Sequence, residues 1–175
     1  MKIRTFLIIL IVFGAFYLYT QFQKYSSRPM PTELNSVVEE KMNSLITTTE
    51  ERGIVIVITD GFRSEAEQNV LYQRGRSTDG QIVTYAKGGE SYHNYGLAID
   101  FALRNKNDEV IWDMDYDGNQ NGESDWMEVV SVAKDLGFSW GGDFSRFKDY
   151  PHLQLDFGLS IQELQWGKRP RDVVD

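Results

Sequence analysis

The stretch "GLAIDFAL", residues 96–103, decides the fold. Read with a period of two, it puts Leu97, Ile99, Phe101 and Leu103 on one face and Ala98, Asp100 and Ala102 on the other. That pattern is a strand with a bulky core face and a small face built around one carboxylate. A carboxylate in such a run is costly to bury alone, so Asp100 needs a partner. Just upstream, "SYHN" carries His93, one of only 2 histidines in the chain. The other, His152, stands in "KDYPHLQLDF", where Leu153, Leu155 and Phe157 alternate against His152, Gln154 and Asp156. With the bulky faces of both segments on one core, Asp100 and His152 project from the same opposite face, and His93 folds over it from the entering loop.

Outward from this pair the chain alternates helix and strand signals. Thr32 can cap a helix over 33–51 that ends at Gly53, and "IVIVITD", 54–60, is β-branched and too short for a helix. "SEAEQNVLYQRG" begins with a capping box, Ser64 with Glu67, and stops at Gly75. Residues 75–92 read as a long loop with a short extended piece at 82–85. Then come a strand "EVIWD", a helix over 125–136 stopped by Gly137, and late strands "FSW" and "HLQLDF".

At 175 residues, 41% of them hydrophobic, the chain has room for one domain with a real core plus appendages. A formal net charge of −8 with scattered basic residues disfavours a nucleic-acid partner. The absence of cysteine excludes disulfides, thiolate metal sites and a cysteine nucleophile. At the N-terminus, Lys2 and Arg4 precede an apolar run over 6–19 extended by Phe22. Residues 5–22 as a helix would rise about 27 Å, close to the ~30 Å hydrocarbon core, so a transmembrane anchor is expected. A cleaved signal peptide, giving a secreted protein, is the alternative. Either way the domain is expected outside the cytoplasm, with Lys24 and Arg28 weakening the charge asymmetry. The expected layout is an anchor over 1–25, a linker "SSRPMP" over 26–31, the domain over 32–157 and a polar, loosely ordered tail over 158–175.

His93, Asp100 and His152 make a three-ligand set suited to one Zn²⁺, with a fourth position left for water. Hydrolysis also needs a base, and Asp149 stands three residues before His152, across the bend fixed by Pro151. Arg63, at the mouth of the strand-to-helix turn after 54–60, can hold a substrate carbonyl as negative charge develops.

Ser91, His93, Gly96, Ala98 and Asp100, followed by Asp149 and His152, resemble the motifs of the zinc D-Ala-D-Ala carboxypeptidase family, of the LAS group that also contains the hedgehog fold. "TDGFRSEAEQNVLYQRGR", "GGESYHNYGLAIDFAL", "WDMDYDGNQNGESDW" and "GFSWGGDFSRFKDYPHLQ" resemble, in order, blocks of bacterial L-alanyl-D-glutamate endopeptidases and related phage endolysins. The resemblance implies an α+β domain with a small antiparallel sheet and flanking helices, one zinc on His93, Asp100 and His152, Asp149 as base and Arg63 as clamp. It adds Ser91, Gln68 and Tyr92 as supporting or substrate-binding residues, and a monomer acting on peptidoglycan at the L-Ala–D-Glu bond. D-Ala-D-Ala cleavage by the same ligands, or a zinc-containing wall-binding module, are the alternatives. Leu153 and Phe144 depart from the aromatic and tryptophan usual at those places. In "DMDYDGNQNGES", Asp113, Asp115 and Asp117 are spaced as in a calcium loop, but Ser124 takes the place of the bidentate glutamate. A structural Asx-rich turn is therefore expected there instead of Ca²⁺.

Overall fold

The computed structural model describes residues 2–26 and 28–173, with the side chains of 2–5, 21, 22, 24 and 26 left out of the description. It falls into two compact units, residues 31–156 and a second formed by the N-terminal segment to Met30 with 157–175.

The larger unit is α+β. Helix α2 (Ser36–Glu51) leads to β1 (Ile56–Asp60), α3 (Glu65–Gln73), a 3₁₀ turn (Tyr92–Tyr95) and β2 (Ala98–Arg104). Then follow β3 (Val110–Ile111), α4 (Asp125–Asp135), β4 (Ser139–Trp140), a second 3₁₀ turn (Gly141–Asp143) and β5 (His152–Gln154). The five strands form one sheet in the order β1-β2-β5-β4, with β3 also pairing β2, and every pairing is antiparallel. β2 is the hub. The residues expected on its bulky face, Leu97, Ile99, Phe101 and Leu103, are at most 1% exposed and face a core closed by α2 and α4. Phe101 stacks on Trp126 of α4 with ring centroids 4.5 Å apart. Burying each such side chain contributes about 1.5–3 kcal/mol.

Local chemistry explains the boundaries. The helix expected from 33 starts at Ser36, because Asn35 and not Thr32 is its cap: its side chain accepts from the Val37 N–H at 3.0 Å. The Asn35 N–H donates to the Gly96 carbonyl at 2.9 Å, which ties the start of α2 to the start of β2. Gly96 has φ 67°, and a Cβ there would lie 2.4 Å from the Glu33 carbonyl oxygen, so only glycine fits. The capping box of α3 forms between Ser64 and Glu67 as expected. No strand forms at 82–85; that piece is irregular.

In the second unit α1 (Lys2–Ser26) is helical, but the expected transmembrane span is not sustained: among the described residues no helix is long and apolar enough to cross a membrane. The run over 6–19 rises only about 21 Å before Thr20, Gln21 and Gln23 interrupt it, well short of the ~30 Å core. Polar groups already bond along its end, Thr20 to the Tyr17 carbonyl and Gln23 to the Tyr19 hydroxyl. This corrects the expected single-pass membrane localisation and the membrane as a partner. The side chains of Lys2, Arg4, Phe22 and Lys24, on which that expectation also leaned, lie outside the described residues. Residues 158–175, expected as a loose tail, hold α5 (Ile161–Gln165), capped by Ser160 with Glu163, and a 3₁₀ turn (Pro170–Asp172). Arg28 forms a two-pronged ion pair with Asp172 within this unit.

Candidate metal centre and active site

The sheet register brings the expected residues together. Asp100 of β2 lies directly opposite His152 of β5, so both side chains leave the same face. His93 approaches from the 3₁₀ turn that Ser91 caps, the serine oxygen accepting from the His93 N–H at 3.4 Å. His93 Nε2, Asp100 Oδ1 and His152 Nδ1 form a nearly equilateral triangle with sides of 3.2, 3.3 and 3.3 Å. A tetrahedral ion with ligand bonds of about 2.0–2.1 Å separates its donors by about 3.3 Å, so this donor set fits such an ion. No other group of three or more metal-binding side chains converges in this way among the described residues.

The outer contacts leave the inward nitrogens free to ligate. The His93 Nδ1–H donates to the Gly61 carbonyl at 2.7 Å, which puts the lone pair on Nε2. The His152 Nε2–H donates to Gln154 Oε1 at 3.1 Å, which leaves Nδ1 as the acceptor. Both rings are buried, while Asp100 remains partly exposed. Burial pushes the Asp100 carboxyl up, but the two imidazoles beside it more than offset this and hold it well below the usual carboxylate range. It is therefore a charged carboxylate, able to ligate a cation, at any physiological pH.

Asp149 is half-buried and responds electrostatically to His152, Asp100, His93 and Arg63. Burial raises its pKa above the ordinary carboxylate range. Its backbone is anchored by its N–H to the Gly141 carbonyl at 3.1 Å and by its carbonyl from the His152 N–H at 3.2 Å. A Cβ on residue 141 would lie 2.2 Å from the Asp149 carbonyl oxygen, so Gly141 permits this approach. The bend at Pro151 is used as well: its carbonyl accepts from the Phe101 N–H at 3.1 Å.

Arg63 is held on both sides. Its Nε and Nη2 donate to Asp60 Oδ2, at 3.2 and 2.5 Å, and Nη1 to Gln68 Oε1 at 2.8 Å. Nη2 also lies 3.8 Å from Asp100 Oδ2, which connects the guanidinium to the triangle. Gln68 is 1% exposed and donates onward to the Ala86 carbonyl at 2.8 Å. Tyr92 supplies a backbone carbonyl to the Leu97 N–H at 3.0 Å.

Three residues absent from the expected set prove structural to the site. Asp60 orients Arg63; Gln154 orients His152; and buried Asn94 donates to the Arg63 carbonyl at 2.8 Å while accepting from the Gly89 N–H at 2.9 Å. Gln154 carried a usable signal, because its two-residue spacing from His152 puts it on the same strand face. Asp60 and Asn94 carried none outside the fold.

Comparison with known proteins decides the lineage. A family model described as D-alanyl-D-alanine carboxypeptidase matches residues 84–155. The peptidoglycan L-alanyl-D-glutamate endopeptidase CwlK of Bacillus subtilis is 61% identical over 127 residues, 73% of this chain and 76% of that protein. The chain belongs to the D-alanyl-D-alanine carboxypeptidase family. An L-alanyl-D-glutamate peptidase of Listeria phage A118 is 34% identical over 65% of this chain and 34% of its own length. Among solved structures, the L,D-carboxypeptidase DacB of Streptococcus pneumoniae shares the fold, with a TM-score of 0.52 and 24% identity over 77% of each chain.

Proposed function

We propose that residues 32–157 form a zinc peptidase that hydrolyses the L-Ala–D-Glu amide of peptidoglycan stem peptides. The observation that carries this reading is the triangle of His93, Asp100 and His152 with Asp149 beside it. The choice of bond is supported by the 61% identity to an L-alanyl-D-glutamate endopeptidase. Two imidazoles and a carboxylate suit zinc and leave a position open, as in catalytic sites. What zinc supplies when bound there is Lewis acidity toward water and the scissile carbonyl.

The remaining work falls to the chain. Asp149 takes a proton from the attacking water as the new C–O bond forms, and returns it to the glutamyl nitrogen as the C–N bond breaks. Arg63, pre-oriented by Asp60 and Gln68, offers its guanidinium to the carbonyl oxygen as charge develops; such donors cost no reorganisation when they are already held. Gln154 and the Gly61 carbonyl keep the two imidazoles in the ligating tautomer.

The test is digestion of peptidoglycan with the full chain, followed by identification of new amino termini by mass spectrometry. A new D-Glu terminus is expected; free D-Ala would instead establish a carboxypeptidase, and no new terminus a binding module. Chelation should abolish release, and Asp149→Asn should lower kcat by about 10²–10⁴-fold with metal content retained. Undiminished cleavage after both treatments would defeat the reading.

A further inference from the structure

A cleft of about 440 Å³ opens beside Asp149, between the loop at residues 83–86 and the segment 144–149. The first wall is tied to the catalytic face, because Gln68 donates to the Ala86 carbonyl with one end and accepts from Arg63 with the other. The second wall carries Phe144, whose ring lies 5.9 Å from that of His152. Across the cleft, exposed Tyr85 and Phe147 meet edge to face at 5.5 Å.

The charges around this cleft are unequally committed. Arg63 is occupied by Asp60 and Gln68, and Lys148 donates to the Gly142 carbonyl at 2.8 Å. Arg146 lines the cleft, is exposed, and has no carboxylate partner among the described residues. In a chain of net charge −8, an uncommitted guanidinium beside the catalytic carboxylate favours an anionic group at that spot.

The chemistry proposed above says which group that is. Asp149 delivers its proton to the departing amine, so the residue that owns this amine must lie on the Asp149 side, where the cleft opens. A glutamyl residue has two carboxyl groups, and only one of them continues the peptide. The other is a free anion near the released nitrogen unless it is amidated. We propose that the cleft is the subsite for the D-Glu residue and that Arg146 is a specificity-determining residue that reads its free carboxylate, with Tyr85 and Phe147 flanking the methylenes. The proposal rests on the endopeptidase reading.

The experiment compares two synthetic stem peptides, identical except that the free glutamyl carboxylate is amidated in one, using the wild-type chain and R146Q. The wild type should show a KM about 3- to 10-fold lower for the acidic peptide, the range of a partly exposed charge-assisted pair. R146Q should erase that preference with kcat changed by less than about 2-fold, and R146K should retain part of it because it keeps the charge without the planar fork. Equal effects of R146Q on both peptides, or no effect on either, would overturn the proposal. If the wild type cleaves neither peptide, the endopeptidase reading has failed separately. Calorimetric binding of the two intact peptides then decides the subsite: a preference that R146Q abolishes supports it, and equal affinities overturn it.

Discussion

Two regions of this molecule rely on aspartates, and they do opposite things with them. In the metal centre, Asp100 sits in a strand paired on both edges, so its neighbours' N–H groups are engaged in the sheet. Its carboxylate turns to His93 and His152, both 3.3 Å away. In the stretch 113–125 the backbone joins no strand ladder, and the carboxylates turn back on it. Asp113 accepts from the Asp115 N–H at 2.9 Å, and Asp117 from the Asn121 and Gly122 N–H groups at 3.1 and 3.0 Å. Asp125 accepts from the Gly118 N–H at 3.0 Å. Ser124 caps α4 and donates to the Met114 carbonyl at 2.6 Å. The same residue type makes a convergent ligand set where the backbone is satisfied, and Asx turns where it is not.

The strongest way to break this contrast is at its centre. Asp100→Asn removes the only anion of the triangle and should lower metal affinity by more than about 100-fold, beyond the loss typical of outer contacts. Metal content after dialysis measures it, and full occupancy in the variant would mean that the triangle is not the metal site. A smaller loss is expected one contact further out. Gln154→Leu leaves the His152 Nε2–H without its acceptor and should weaken the metal by about 10–100-fold in competition with a chelator. An unchanged affinity would show that the tautomer is set elsewhere.

The smallest effect belongs to the loop and is a matter of pH. Asp125 is 2% exposed, its Oδ1 has no hydrogen-bond partner among the described residues, and burial raises its pKa. A raised carboxylate pKa means that the folded state holds the proton more tightly than the unfolded state. Stability therefore falls as pH rises from the ordinary carboxylate range through the raised value. Asp125→Asn, which cannot ionise, should raise Tm by about 2–4 °C at neutral pH. The gain should vanish below the ordinary carboxylate range, and metal content should stay the same throughout. A Tm gain independent of pH would assign the effect to something other than the charge.

Much of the site was legible because side-chain period is a local property. Alternation in 96–103 and 152–157 is enough to put Asp100 and His152 on a common face once the two segments share a sheet. The capping box of α3 was legible for the same reason, since Ser64 and Glu67 act on each other across three residues. Asp60 was not, because it reaches Arg63 through an irregular turn that has no sequence period, and it comes opposite Asp100 through a register shift between Ile58 and Asp60 in the β1–β2 pair. Asn94 was not either, because its partners lie in separate turns. At the N-terminus composition misled: apolar character was visible, but the uninterrupted length over 6–19 is too short for a span.

By itself, then, the sequence singled out the candidate site residues and the faces of two strands from which they leave. These follow from residue type and a period of two, neither of which needs the rest of the chain. Tertiary structure alone decided that three donors close to a 3.2–3.3 Å triangle, that Asp60 and Gln154 hold the side chains in place, and that Arg146 stands uncommitted beside Asp149. Those facts depend on register, a bulge and the meeting of distant loops, and such long-range distances are set by packing, not by local propensity.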